Sequence, residues 1–156
     1  SLAYSFGAQV AEVEVDPETG FVRIDRYAAV DDVGHILDET VCEGQITGGL
    51  AQGIGQALFE EVVYDEHGNL VSGSLLDYLL PTASDLPAFE LELAEIPSTS
   101  NPLGVKGVGE SGTIGAPPTI INAVLDALRP LGVTHIDLPA SPARVWHAIH
   151  EARHHS

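Results

Sequence analysis

Residues 101–118 read Asn-Pro-Leu-Gly-Val-Lys-Gly-Val-Gly-Glu-Ser-Gly-Thr-Ile-Gly-Ala-Pro-Pro, with glycine at positions 104, 107, 109, 112 and 115. The stretch holds one acid, Glu110, and the only lysine of the chain, Lys106. Glycine takes positive φ and lets a backbone approach another group closely. Glycines at this density predict a loop shaped around something, with a lone carboxylate near its centre. Pro117-Pro118 suits the first turn of a helix, so the expectation is a loop that feeds a helix N-terminus, where amide donors favour anions.

Working outward, Ile120, Ile121, Val124, Leu125 and Leu128 recur at helical spacing. Thr134–Leu138 reads as a short strand, and Ser141-Pro142 as N-cap and first residue of a last helix with Val145, Trp146 and Ile149 on its apolar stripe. Upstream, 7–15 and 21–30 alternate with period two around the turn Asp16-Pro17-Glu18-Thr19-Gly20, an antiparallel pair. Residues 31–42 read as a connection with a turn at Gly34. A glycine-rich helix spans 44–61, in which Gly44, Gly48, Gly55 and Ala51 are expected to form a face for close approach. Residues 62–71 read as strand, tight turn, strand, and 89–96 as a strand with an acidic outer face. Strands and helices mix without a βαβ rhythm, so the fold class is α+β, with mixed or antiparallel strands packed with about three helices in a single domain, 1–156.

Formal charge is −17, from 6 basic and 23 acidic residues. This argues against nucleic acid and anionic membranes as partners, both of which call for a basic face. No apolar run is long enough for membrane insertion. The single cysteine, Cys42, supports neither an internal disulfide nor an iron–sulfur cluster; a buried, inert thiol and a reducing, cytoplasmic setting are expected. The chain has no methionine and starts Ser-Leu-Ala-Tyr, so it is read as a fragment of a longer polypeptide.

Val105-Lys106-Gly107-Val108-Gly109-Glu110-Ser111-Gly112 resembles the active-site loop in the large subunit of the xanthine dehydrogenase family, the molybdenum hydroxylases. The segments Asp32-Val33-Gly34, then Gly44-Gln45 with Gln52-Gly53, and Gly73-Ser74-Leu75-Leu76-Asp77-Tyr78 resemble that family's motifs in the same order. The likeness runs from about Gly7 to His150 and corresponds to the C-terminal molybdopterin-binding region of a subunit several times longer. It implies a molybdenum–molybdopterin cofactor, in the cytosine dinucleotide form in bacteria. It also implies as partners the remainder of the large subunit, iron–sulfur and FAD subunits or domains, and a small-molecule substrate. Carbon monoxide dehydrogenases of the best-defined type tend to carry Pro where this chain has Gly112, which leans the expectation toward aldehydes or N-heterocycles. The isolated fragment is expected to fold, to hold no cofactor and to be inactive.

The resemblance makes Glu110 the catalytic base. It assigns Gly44, Gln45, Lys106, Gly107, Val108 and Gly109 to cofactor binding, with the Gln45 amide at a helix start. Read on residue chemistry alone, Gln45 could equally satisfy local backbone, and Lys106 could equally pair with one of the many acids. No metal ligand is assigned. His147 and His150 lack the pattern of a zinc site, and the ending His154-His155-Ser156 is too short for one. Two other readings stand beside the first: a non-catalytic binding or scaffold module that keeps the fold, and a small acidic hydrolase, which lacks a nucleophile–base pair at motif spacing.

Overall fold

The computed structural model describes residues 3–154; Ser1, Leu2, His155 and Ser156, and with them the terminal histidine pair, lie outside the described residues. Seven elements follow in order: β1 (Phe6–Val15), β2 (Val22–Asp32), α1 (Glu39–Leu58), β3 (Phe89–Ala94), α2 (Ser111–Leu128), a short 3-10 turn (Arg129–Leu131) and α3 (Pro142–His154). The strands form one mixed sheet in the order β1-β2-β3, with β1 antiparallel and β3 parallel to β2. The Asp16–Gly20 turn joins β1 to β2, and Gly20 takes φ +74° where the chain reverses. The α+β class follows from this arrangement.

The core lies between the sheet and the helices. Tyr27 and Ala29 of β2 are buried with Ile46, Leu50 and Ile54 of α1 and with Ile120, Val124 and Leu128 of α2. Val145 and Ile149 of α3 complete it, while Trp146 is only half-buried and stacks on His150.

Both long helices begin earlier than the sequence suggests. α1 starts at Glu39, because the Asp38 side chain accepts from the Val41 amide at 3.0 Å and caps it. Gln45 therefore sits beyond the first turn, not at the helix start. α2 starts at Ser111, so Pro117 and Pro118 lie inside the helix and do not open it. Two prolines there remove two rungs of the hydrogen-bond ladder, and tertiary packing offsets the loss. A Cβ on Gly53 would come within 2.9 Å of Pro117 Cδ, so a glycine in α1 clears the space for the proline ring.

The close approach of α1 and α2 runs along Gly49 and Gly53, not the face of Gly44, Gly48 and Gly55. A Cβ on Gly49 would stand 3.0 Å from the Thr113 amide nitrogen, and one on Gly53 would stand 2.5 Å from Ala116 Cβ. On the other side, a Cβ on Gly112 would meet the Ile46 carbonyl and come within 2.8 Å of the Leu50 amide. Gly44 and Gly48 face open space, and Gly55 lies against Glu60 and Pro81. The contact follows the apolar side of α1, since Gly49 and Gly53 lie among Ile46, Leu50 and Ile54.

Three expected strands are reduced to a single bridge or absent. Residues 62–71 close through one bridge, Tyr64–Leu70, around the Asp65–Asn69 turn. Thr134–Leu138 forms no strand and joins neither edge of the sheet. The Leu75–Leu80 run is a series of turns with Leu75 and Leu76 exposed.

An ion pair fastens the loop before α2 to the end of β2. The Lys106 ammonium contacts Asp32, and both are nearly out of solvent, at 10% and 2% side-chain exposure. Asp32 Oδ1 also accepts from the amides of Gly34 at 2.9 Å and Ile96 at 3.0 Å. Burial pushes the Asp32 carboxyl up; the Lys106 contact and these two amides outweigh it and hold the group below the usual carboxylate range. Main-chain bonds reinforce the junction: His35 donates to the Gly104 carbonyl at 2.9 Å and Lys106 to that of Val33 at 3.1 Å. Both Gly34 and Gly104 have positive φ there.

Gly112→Ala should destabilise this chain by about 1–3 kcal/mol by overpacking the helix contact. Gly48→Ala, on the open side of α1, should instead stabilise it by up to about 1 kcal/mol through helix propensity; urea unfolding of both variants checks the pair. Lys106→Met should cost about 3–5 kcal/mol at neutral pH by stranding Asp32. Because Asp32 is depressed in the fold, the ion pair's contribution is present above the unfolded carboxyl pKa and is lost as pH falls through the folded one. The stability gap between wild type and Lys106→Met should narrow on acidification, read by denaturation midpoints across the acid range.

Candidate functional site

Glu110 is the residue on which the loop turns into α2. It occupies the N-cap with φ −108° and ψ −1°, and its carboxylate makes no capping hydrogen bond to its own helix. The side chain is exposed at the rim of a cavity of about 210 Å³ lined by Ala3, Tyr4, Ser5, Gly107, Gly109 and Ile114. The Val108 carbonyl accepts the Ser111 amide at 3.1 Å, which bends the loop into the helix, and the Val108 side chain packs on the core. Ser111 Oγ is bonded to Ser5 Oγ at 2.6 Å, so this hydroxyl closes the wall of the site.

Gln45 reaches the same place from α1. Its Oε1 lies 3.5 Å from where a Cβ on Gly109 would be, so the Gln45 amide adjoins the Gly109 main chain, one residue before Glu110. Gly44 is exposed beside Gln45 with nothing around its Cβ position, and the same is true of Gly107. The Gly107 amide donates to the Ala3 carbonyl at 3.3 Å. Lys106 points away from the cavity toward Asp32, with its ammonium 4.7 Å from the centre of the Phe6 ring. Its charge is committed to holding the loop in place. Gln52 and Gln56, further along α1, are solvent-facing.

Cys42 is half-buried, and its thiol is pushed up by burial first and then by nearby Asp38, the opposite of an activated nucleophile. Among the described residues no group of three His, Cys, Asp or Glu side chains converges as metal ligands. The site instead offers one exposed carboxylate, one amide side chain, and two glycines whose main chain is open to approach. That set fits a bulky polar group that brings its own metal ligands and takes hydrogen bonds and a base from the protein. Among the described residues no helix is long and apolar enough to cross a membrane.

Sequence reasoning missed a second polar group beneath the sheet. Tyr27 donates to Gln9 Oε1 at 2.6 Å, and Gln9 Nε2 donates to the carbonyls of Ser111 and Gly112 at 3.3 Å each, tying β2, β1 and the start of α2 together. Burial first pushes the Tyr27 hydroxyl up to about 12, so it stays a donor. The alternation of β1 puts Gln9 on the half-buried face with Ala11, Val13 and Val15, and the start of α2 lies against its amide.

Residues 1–87 match the model of the molybdopterin cofactor-binding domain. The chain is 48% identical over 145 residues to the nicotine 6-hydroxylase large subunit of Paenarthrobacter nicotinovorans, covering 93% of this chain and 18% of that protein. It is 40% identical over 151 residues to the carbon monoxide dehydrogenase large chain of Hydrogenophaga pseudoflava, covering 97% of this chain and 19% of that one. Its fold superposes on quinoline 2-oxidoreductase from Pseudomonas putida 86 with a TM-score of 0.90 at 44% identity, covering 93% of this chain and 18% of that chain. The chain thus spans under one fifth of the length of the relatives it matches. On the family model, the relatives and the superposed fold together, it belongs to the molybdopterin cofactor-binding domain family and is similar to one part of the molybdenum hydroxylases.

Proposed function

We propose that this chain is the part of a molybdenum hydroxylase large subunit that presents Glu110 as the catalytic base and helps to seat the cofactor. The observation that carries the reading is that Gln45 of α1 stands beside Gly109, which with Glu110 lines one cavity at the start of α2. When bound, the molybdenum–molybdopterin group supplies two-electron oxidation of substrate carbon with water as the oxygen source. The Glu110 carboxylate takes up the proton released as that oxygen is transferred, help that is typically worth about 10²–10⁴-fold. Gln45 orients the cofactor by hydrogen bonding from its amide, and the open main chain at Gly107 and Gly109, flanking Val108, lets the cofactor edge come close. Gly44 leaves room beside Gln45. Lys106 acts by keeping this loop docked to Asp32.

The substrate class follows the relatives. The nicotine and quinoline enzymes, at 48% and 44% identity, act on N-heterocycles by name, and the carbon monoxide enzyme stands lower, at 40%. An N-heterocycle is accordingly the preferred substrate, with aldehydes next. The bacterial origin of these relatives supports the cytosine dinucleotide form of the cofactor. Their designations as large subunit and large chain support a complex with other subunits; we propose that these are iron–sulfur and FAD components and that the complex is cytoplasmic. An exposed base at a formed cavity favours this reading over a scaffold that merely keeps the fold.

In the full-length, metal-loaded enzyme Glu110→Gln should keep molybdenum and lose turnover by about two to four orders of magnitude. Near-normal rates on a panel of quinoline, nicotine, an aldehyde and carbon monoxide, at full molybdenum occupancy, would sink the assignment. Gln45→Ala should reduce molybdenum content or shift the visible spectrum, with a smaller loss of rate; an unchanged metal content, spectrum and kcat would make Gln45 a structural residue.

A further inference from the structure

Asp31 is a buried carboxylate to which neither the fold nor the proposed reaction assigns a task. It is 3% exposed, and its Oδ2 has no hydrogen-bond partner. Burial alone pushes its carboxyl above the usual range. It lies against Gly7 of β1, where a Cβ would come within 2.5 Å of Asp31 Oδ1, so the glycine makes the space that the carboxylate occupies. Asp31 lines a cavity of about 370 Å³ between β1 and α2, together with Ser5, Gln9, Ser111, Thr119 and Asn122. That lining is rich in oxygen atoms and lacks a cation.

The chain has few cations to give. Of its six basic residues, five are paired: Lys106 with Asp32, Arg23 with Glu14 and Asp25, Arg26 with Glu90, Arg129 with Asp126 and Arg144 with Glu61; the sixth, Arg153, lies in the last turn of α3 and does not line this cavity. A buried carboxylate without a partner costs several kcal/mol unless it is neutralised or matched. The adjacent Asp32 has its match inside the chain. The cavity beside Asp31 has room for a planar, multi-donor head group and acceptors around it.

We propose that this cavity is a receptor for a basic side chain, an arginine guanidinium or a lysine ammonium, inserted by a segment of the large subunit that lies outside these 156 residues. The inference rests on reading the chain as one domain of a longer subunit, of which it spans 18–19% in the relatives. The guanidinium suits the site better, because its five donors can serve the carboxylate and the neighbouring oxygens together. Such a plug would pair Asp31 and pin the β1–α2 junction, whose α2 end carries Glu110.

The test uses the intact large subunit. Asp31→Asn keeps the shape and removes the charge. With a cation seated in the cavity, the variant strands that cation and should lower the thermal midpoint at neutral pH by several degrees. If Asp31 is instead an unpaired acid, the amide relieves a buried charge, and an unchanged or raised midpoint would overturn the proposal. Should Asp31→Asn fail to accumulate, a structure of the wild-type subunit decides: an Arg or Lys nitrogen within about 4 Å of the Asp31 carboxylate is expected, and none there refutes it. Replacing that basic residue with Met alongside Asp31→Asn should restore much of the midpoint, the coupling expected of a true pair. Molybdenum content and hydroxylation by the wild-type preparation report separately on the functional reading, so either can fail alone.

Discussion

Everything at the site depends on two helices touching backbone to backbone. Gly49 of α1 and Gly112 of α2 meet the other helix's main chain, and Gly53 makes room for the Ala116 methyl and the Pro117 ring. Each interior glycine costs a helix about 1 kcal/mol relative to alanine, and such residues are retained in a long helix only where contact repays them. The contact brings Gln45, on one helix, beside Gly109 and Glu110, at the mouth of the other. A larger residue at any of the crossing positions would push the two apart and separate the amide from the carboxylate.

A second constraint acts at right angles to the first. The loop carrying Gly107 and Gly109 leaves β3 and must reach α2 without sagging away from the sheet. Lys106 and Asp32 supply the tie in a nearly dry environment, and the Gly34 and Ile96 amides complete the carboxylate's hydrogen bonding. Buried ion pairs add little net stability compared with apolar packing, but once present they are costly to break. Here the ion pair sets a loop in register. One charge in the motif is consumed in placement, and the other, on Glu110, is left exposed at the cavity rim.

Much of this was legible in the residues. Period-two alternation located β1, β2 and β3, and apolar spacing located α2 and α3. The glycine-rich motif singled out Glu110. Errors arose where a local rule met a tertiary requirement. Pro117-Pro118 looked like a helix opening because proline fits a first turn, yet a glycine on a distant helix makes an interior position tolerable. The approach face of α1 was misplaced because its glycines fall on several sides, and only the companion series Ile46, Leu50, Ile54 distinguishes the buried one. Gly44-Gln45 is the more conspicuous landmark than Asp38, for which an acid followed by Glu39 and, at Val41, the first apolar residue was the available signal. Asp31 and Gln9 stand on the inward faces of β2 and β1, in series with Tyr27 and Ala29 and with Ala11 and Val13, so a polar residue interrupting an apolar series was the available signal.

The prolines inside α2 divide it mechanically. Pro117 and Pro118 have no amide hydrogen to offer the carbonyls of Thr113 and Ile114, so the ladder joining the first turn to the rest of the helix is missing successive rungs. That first turn is held instead by its neighbours: by α1 at Gly112 and by Gln9 at the carbonyls of Ser111 and Gly112. Bending in a helix concentrates where its ladder is interrupted. Flexing of α2 under load from the core is therefore taken up at the prolines, and the turn bearing Glu110 travels with α1 and Gln45. The helix works as a jointed strut whose short end is bolted to α1, which insulates the spacing of the Glu110 carboxylate and the Gln45 amide from breathing in the rest of α2.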